Sequence, residues 1–315
     1  MSIESESSRR VLVGSLYTLA AFLSWGLLPL YWKLLGDVTA PVILAHRIVW
    51  SFVFSAGLLM ISGRFKPVAF LRDPSRRRVV TVTSVLIAAN WFTYIWAVTT
   101  EQLLEASMGY YINPLFSVFL GMVVLKERLT RLEAVALLFA VVGVGNIALR
   151  YGRVPWIAIM LTLTFGFYGL LKKTVSVDSL TALSLETALL SPVAVAFLVA
   201  VERTPLFESI ATGGAFGDGA GEIVALLVVA GVVTALPLYW FAQGAKRIPL
   251  SQVGFMQYIA PSLMLLIGVF LFGEAFTVIH ALSFGSIWTG LALYSLSRAY
   301  IYGRRRNVAE TRVSE

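Results

Sequence analysis

The apolar residues of this chain come in runs of about 20, and this pattern constrains the fold more than any other feature. A helix rises 1.5 Å per residue, so one run crosses the roughly 30 Å hydrocarbon core of a bilayer. Hydrophobic residues fill 58% of the 315 positions, whereas charged residues fill only 13%, about half their usual share in soluble proteins. The sequence therefore predicts an all-α membrane protein embedded in a lipid bilayer.

Breaks at charged residues, Gly or Pro divide the chain into ten predicted transmembrane helices. They cover 11–34, 41–62, 79–99, 105–125, 131–150, 154–171, 180–200, 223–243, 250–272 and 277–300. The polar residues 1–10 and the charged residues 303–315 are predicted to be terminal tails, the second of them disordered. The Gly-rich stretch within 201–222 predicts a flexible outer loop.

Charge asymmetry between the predicted loops gives the orientation. With the N-terminus in the cytoplasm, 20 of the 25 Lys and Arg residues fall in inner segments, four fall in outer segments, and Arg47 lies within a span. The positive-inside rule then places both termini in the cytoplasm. The net charge of +8 is thus explained by membrane topology, and no nucleic-acid partner is predicted.

The two halves of the chain resemble each other. At an offset of 147, the fourth span aligns with the ninth and matches Tyr111, Ile112, Pro114, Gly121, Glu127 and Thr130 to Tyr258, Ile259, Pro261, Gly268, Glu274 and Thr277. At an offset of 140, Gly26 and Lys33 of the first span match Gly166 and Lys173 of the sixth. Because each repeat has an odd number of helices, the halves 11–150 and 151–302 are predicted to be inverted five-helix repeats. The shared Pro114 and Pro261 are predicted bends.

Inverted repeats are typical of transporters that work by alternating access, so the predicted partner is a small-molecule substrate. A channel, a lipid scramblase and a membrane enzyme using His46 remain alternatives. The sequence has no Walker A motif, no cysteine and only two histidines, so neither a cofactor nor a metal site is predicted. Every Asp falls in a predicted loop, which excludes an intramembrane aspartyl protease.

Polar and aromatic side chains at membrane depth mark a predicted substrate pathway. Its members are Trp25, Arg47, Asn90, Trp91, Tyr94, Tyr110, Asn113, Tyr168, Glu186, Tyr239, Gln257 and Tyr258. The small and polar faces of the fourth and ninth spans fit two interpretations, a lining of this pathway or a helix-packing surface.

Two ionisable residues are predicted to mark gates. At an offset of 140, His46 and Arg47 superpose on Glu186 and Thr187, so each second helix of a half carries a charge at the same place. Arg47 and Glu186 lie about 9 Å from opposite membrane faces, which separates them by about 12 Å in depth. We therefore expect Arg47 to pair with Glu105, and Glu186 with Gln252; static neutralising pairs are the alternative. Glu186, Glu105 and His46 are candidate proton carriers, whereas facilitated exchange needs none.

Five stretches together resemble a known family: SWGLLPLYWKLL, AHRIVWSF, NWFTYIWAV, LEASMGYYINPL and GFMQYIAPSLMLL. The chain is similar to RarD-type permeases, in the EamA group of the drug/metabolite transporter superfamily. The resemblance implies two EamA repeats, residence in the bacterial cytoplasmic membrane, and export of metabolites or drugs, with chloramphenicol as a candidate substrate. The sequence departs from the family pattern at Lys126 and Ala260.

Overall fold

The computed structural model describes residues 3–35, 38–63, 73–99, 103–149, 154–174, 177–203, 221–271 and 278–314. They form α1 Ile3–Lys33, α2 Ala40–Ile61, α3 Pro74–Thr99, α4 Leu103–Val123, α5 Arg131–Leu149, α6 Trp156–Thr174, α7 Ser179–Arg203, α8 Gly221–Ala245, α9 Leu250–Gln257, α10 Ile259–Leu271 and α11 Val278–Ser314. No strand occurs within these ranges. Because α9 and α10 are two halves of one broken segment, the described chain has ten helical segments.

The helices cover the predicted spans, and six segments are long and apolar enough by themselves to cross a membrane. The prediction of a disordered C-terminal tail is wrong, because α11 continues to Ser314. Extending an existing helix requires no new nucleation, and the Arg, Ala and Glu residues of this tail favour helix. At the other end α1 already begins at Ile3. Of the predicted outer loop, residues 204–220 lie outside the described part of the chain.

The two predicted bends differ. The ninth segment breaks at Tyr258, three residues before Pro261. Proline has no N–H, so the carbonyl of Gln257 loses its helical partner and the helix restarts. In contrast, α4 runs continuously through Pro114.

A carboxylate from the first half holds the start of α9. The oxygens of Glu127 accept hydrogen bonds from the backbone N–H groups of Leu250 at 2.7 Å and Ser251 at 2.8 Å. Lys173 Nζ lies 3.9 Å from the same carboxylate. This arrangement is a charged N-cap, and it fixes the beginning of the broken segment against the end of α4.

The main helix contacts each join a helix of the first half of the chain to a helix of the second half. The extensive contacts join α2 with α7 and α8, α4 with α6 and α9, α5 with α11, α3 with α6, and α1 with α8 and α10. Small residues allow the closest approaches. A Cβ at Gly254 would lie 2.7 Å from the carbonyl oxygen of Pro114, and a Cβ at Gly231 would lie 2.3 Å from the carbonyl carbon of Trp50.

Candidate functional site

Five helices converge on Arg47. We call the group formed by Trp32, Arg47, Trp91, Tyr94, Tyr110 and Thr234 the arginine cluster. The guanidinium lies over the rings of Trp32 and Trp91, with its carbon 5.0 and 5.4 Å from the two centroids. Its Nε donates a hydrogen bond to Thr234 Oγ1 at 2.9 Å. The charge is therefore stabilised by aromatic faces and one hydroxyl group.

Among the described residues, the hydrogen bond to Thr234 uses only part of the hydrogen-bonding capacity of the guanidinium. It carries five N–H donors, and the bond to Thr234 uses only the one on Nε. Among the side chains that the structure describes, no carboxylate oxygen lies within 4.0 Å of Arg47. The side chain of Glu105 lies outside that set, so its pairing with Arg47 stays a prediction. The remaining donors match the geometry with which Arg binds a carboxylate.

Two tyrosines form one side of the arginine cluster. The rings of Tyr94 and Tyr110 meet edge to face, with centroids 6.1 Å apart. Tyr110 is 40% exposed, although its neighbours Arg47, Trp91 and Tyr94 are half-buried. Aromatic walls around a few fixed polar groups are typical of small-molecule sites.

Glu186 forms the second site, which is sealed. We call the group formed by Thr83, Tyr168, Lys172 and Glu186 the glutamate cluster. Lys172 Nζ lies 2.7 Å from Glu186 Oε1, and the two side chains are only 5% and 2% exposed. Thr83 Oγ1 donates to the same oxygen at 2.5 Å, and Tyr168 OH donates to Oε2 at 3.3 Å. One buried carboxylate thus joins α3, α6 and α7.

The predicted pairing of Glu186 with Gln252 is wrong. Gln252 instead donates to Ser15 Oγ at 2.8 Å and accepts from Arg298 at 2.9 Å. The reason is the position of Lys172: α6 extends to Thr174, so this ammonium group lies within the helix bundle, beside the carboxylate. A buried carboxylate is stabilised far more by an ammonium group than by an amide.

One predicted pathway residue, Trp25, belongs to an aromatic group that contacts the glutamate cluster. Trp25 packs in an aromatic group with Phe165 and Phe241, at centroid distances of 5.8 and 5.7 Å. The ring of Tyr168 stacks on Phe241 at 6.3 Å, which connects this aromatic group to the glutamate cluster. This part of the core therefore contains a contiguous group of aromatic rings among aliphatic side chains.

Two other predicted residues act as links between helices. Asn90 Nδ2 donates to the carbonyl of Leu161 and to Thr164 Oγ1, both at 3.0 Å, and so ties α3 to α6. Tyr239 meets Tyr17 edge to face at 6.4 Å, which joins α8 to α1.

The face shared by α4 and α9 serves as a packing surface in this structure. Gln257 accepts a hydrogen bond from Ser117 at 3.0 Å, and Tyr258 is buried in a group that includes Ile287. Neither Gln257 nor Tyr258 reaches the arginine or glutamate cluster. Among the described residues, the buried side-chain oxygens of Asn113 and Tyr258 have no hydrogen-bond partner.

The sequence interpretation missed Trp32, Thr83, Lys172 and Thr234. One signal was present: the offset of 140 that superposes Arg47 on Thr187 also superposes Trp32 on Lys172. Applied to the ends of the first and sixth spans, it would have brought both residues into the two clusters. Thr83 and Thr234 carry no such signal, because single threonines are common within apolar helices.

Known proteins are similar to this chain in sequence and in fold. A model of the EamA-like transporter family matches residues 12–149 and again residues 154–296. The uncharacterized transporter YojE of Bacillus subtilis is 46% identical over 289 residues, which cover 90% of this chain and 94% of YojE. Protein RarD of Escherichia coli is 38% identical over 294 residues, which cover 93% and 96% of the two chains. A protein of known crystal structure superposes with a TM-score of 0.66 at 21% identity, covering 91% of this chain and 98% of its own.

Proposed function

Because this chain belongs to the EamA-like transporter family and is a multi-pass membrane protein, we propose that it exports a small amphipathic solute by alternating access across the bacterial cytoplasmic membrane. One observation carries the proposal: Tyr110 of the arginine cluster is 40% exposed, whereas the ion pair of the glutamate cluster is buried. A transporter halted with one gate closed has this asymmetry.

The pattern of helix contacts supports two repeats of five segments, within 11–150 and 151–302. Exchanging the first five segments for the second five turns the α3–α6 contact into the α1–α8 contact. The same exchange turns the contact between α4 and α6 into that between α1 and α10, and it leaves the α2–α7, α4–α9 and α5–α11 contacts in place. The two separate matches to one family model agree with this division.

The two clusters support the inversion as well. Arg47 of the second segment bonds Thr234 of the eighth, and Glu186 of the seventh bonds Thr83 of the third. Each cluster thus joins a second helix of one half to the third helix of the other half. Inverted repeats place two such equivalent clusters toward opposite membrane faces.

Alternating access would exchange the states of the two clusters. Opening the sealed end separates α7 from α3 and α6, which requires Glu186 to leave Lys172 and become hydrated. Closing the accessible end brings Tyr94 and Tyr110 over the solute. Glu186 is also our candidate proton carrier, because protonation of its carboxylate would remove the ion pair that holds these helices together.

The arginine cluster favours a solute with an aromatic or apolar body and a carboxylate. The N–H donors of Arg47 that Thr234 does not use suit the carboxylate, and the rings of Trp91 and Tyr110 suit the apolar part. An aromatic zwitterion meets both requirements. Chloramphenicol has an aromatic ring but no carboxylate, so it remains a candidate whose transport would depend less on Arg47.

The test is counterflow in proteoliposomes containing the purified protein. Phenylalanine and phenylethylamine form a matched pair, because the second has the same ring without the carboxylate. We expect saturable phenylalanine counterflow that falls about 10-fold or more in Arg47→Gln, since a hydrogen bond to a charged group contributes about 1.5–3 kcal/mol. Phenylethylamine flux should change little.

Two results would contradict the proposal. Non-saturable flux, or lipid flipping at a similar rate, would indicate a channel or a scramblase. Wild-type phenylalanine flux in well-folded Arg47→Gln would remove the arginine cluster from the pathway. An imposed pH gradient then tests proton coupling: flux that is insensitive to the gradient would remove Glu186 as a proton carrier and leave facilitated exchange.

A further inference from the structure

A wide cavity of about 620 Å³ lies at one end of the bundle, outside both clusters. It is enclosed by the start of α1, the start of α7 and the turn after α8. Its lining includes Arg9, Arg10, Asp178, Ser179, Lys246 and Arg247. Since one water takes about 30 Å³ of liquid volume, the cavity has room for roughly 20 waters or for one polar headgroup.

Positive charge dominates this cavity. Four of the lining side chains are basic, and one, Asp178, is acidic. The Asp178 carboxylate is already engaged as the cap of α7, where Oδ2 accepts from the backbone N–H and the hydroxyl of Thr181, both at 3.1 Å. The cavity therefore holds more positive charge than its own acidic residue balances.

The basic groups on the turn after α8 are held in place. The guanidinium of Arg247 donates to the carbonyl of Gln243 at 2.8 Å and lies 5.4 Å from the ring centroid of Tyr17. The ammonium group of Lys246 donates to the carbonyl of Val177. Arg10 donates to the Lys246 carbonyl at 3.3 Å, which brings α1 to this turn. A binding site is preorganised when its charges are fixed in this way.

The electrostatics of Lys246 are those of a cation that needs a counter-charge. Burial lowers the pKa of Lys246 below its usual range, and the nearby charge of Lys172 lowers it further. The carboxylate of Asp178 acts in the opposite direction. An anion in the cavity would favour the charged form of the lysine.

Ser179 gives an independent indication of a ligand. This residue lines the cavity and is only 1% exposed, and among the described residues its Oγ has no hydrogen-bond partner. A buried hydroxyl group without a partner is unfavourable. Because the oxygen has almost no accessible surface, an acceptor in the cavity would satisfy it only after a small shift at the start of α7. Ser179 also begins the 25-residue helix α7, whose dipole favours a negative charge at this end.

We propose that this cavity binds a phosphate group, held by Arg9, Arg10, Lys246 and Arg247 beside the start of α7. The cavity lies where transmembrane helices end, at the level of lipid headgroups, and basic pockets at this level bind anionic lipids. The phosphate belongs either to an anionic phospholipid or to a soluble phosphate ester. This site does not depend on the proposed solute pathway.

Native mass spectrometry of the purified protein tests the site. Phosphatidylglycerol is titrated against phosphatidylcholine of matched chains, and glycerol 3-phosphate serves as the soluble competitor. We expect selective phosphatidylglycerol binding that weakens about 5-fold for each basic side chain removed in Arg9→Gln/Arg10→Gln. The matched control is Arg128→Gln/Arg131→Gln, which removes two exposed arginines outside the cavity and should leave binding unchanged.

Each outcome decides the proposal or the source of the phosphate. Ser179→Asp places a negative charge at the site without changing α1, and it should abolish selective binding. Competition by glycerol 3-phosphate would assign the cavity to soluble phosphate esters, and its absence would assign it to the lipid. Equal losses in the cavity variant and the control, or binding of neither phosphatidylglycerol nor glycerol 3-phosphate to the wild type, would overturn the proposal.

Discussion

The arginine and glutamate clusters are built on the same plan and are in different states. In each, an ionisable residue of a second helix bonds a threonine from the opposite half. Yet Glu186 has a neutralising partner and is 2% exposed, whereas Arg47 has aromatic faces around it and a neighbour, Tyr110, that is 40% exposed. The difference teaches that one cluster contains a complete ion pair, whereas in the other no carboxylate among the described side chains neutralises Arg47.

The largest expected effect is at the closed end. Glu186→Gln leaves the ammonium group of Lys172 buried without its counter-charge, so we expect the free energy of unfolding to fall by about 3–5 kcal/mol. Denaturant titration of the purified protein measures it. Glu202→Gln, at an exposed position, is the control and should change stability by no more than about 0.5 kcal/mol.

The double variant Lys172→Met/Glu186→Gln separates the ion pair from general packing. It removes both charges, so stability should recover most of what the single substitution loses. If Glu186→Gln alone costs no more than Glu202→Gln, the closed end is not held by this pair and the contrast between the clusters fails.

A smaller effect is expected where α8 approaches α2. Gly231 lies one turn before Thr234, and an added Cβ would stand 2.3 Å from the carbonyl carbon of Trp50. Gly231→Ala should therefore separate the helices that bring Thr234 to Arg47 and lower stability by about 1–3 kcal/mol. Gly145→Ala, at a position with open space, is the matched control. Equal stability of the two variants would contradict the close approach.

The smallest effects compare the two threonines. Thr83→Val removes a hydrogen bond to a fully buried carboxylate, and Thr234→Val removes one to a half-buried guanidinium. Both threonines are 2% exposed, so the difference lies in their charged partners. We expect losses of about 1.5 and about 0.5 kcal/mol, because Arg47 is less buried than Glu186 and two aromatic rings also stabilise its charge. The same unfolding titration measures both, and a larger loss for Thr234→Val would reverse the assignment of sealed and accessible ends.

The sequence predicts the helices of this fold well, because the length of an apolar run is set by the thickness of the bilayer. It also identifies Arg47 and Glu186, since ionised groups at membrane depth are rare. The partner of Glu186 could not be read in the same way. Lys172 was predicted to lie in a loop because it is charged. In the structure the helix continues past it and its ammonium group is buried.

The two predicted bends show a second limit of prediction from the sequence. Pro114 and Pro261 occupy equivalent sequence positions, yet only the segment with Pro261 is broken. A proline frees a carbonyl, but neighbouring helices decide whether the chain absorbs that loss or restarts. At the broken segment, Glu127 supplies the cap that lets α9 begin as a separate short helix. Such long-range contacts have no local sequence signal.

Cysteine accessibility tests the difference between the two ends most directly. The chain contains no cysteine, so single-cysteine variants label against no background. We predict that a membrane-impermeant maleimide modifies Tyr110→Cys in proteoliposomes much faster than Thr83→Cys, which lies in the sealed cluster. Phe119→Cys on the same helix, 49% exposed, controls for exposure to lipid and should react slowly. Labelling of Thr83→Cys as fast as Tyr110→Cys, or of Tyr110→Cys as slow as Phe119→Cys, would contradict a protein that is open at Arg47 and closed at Glu186.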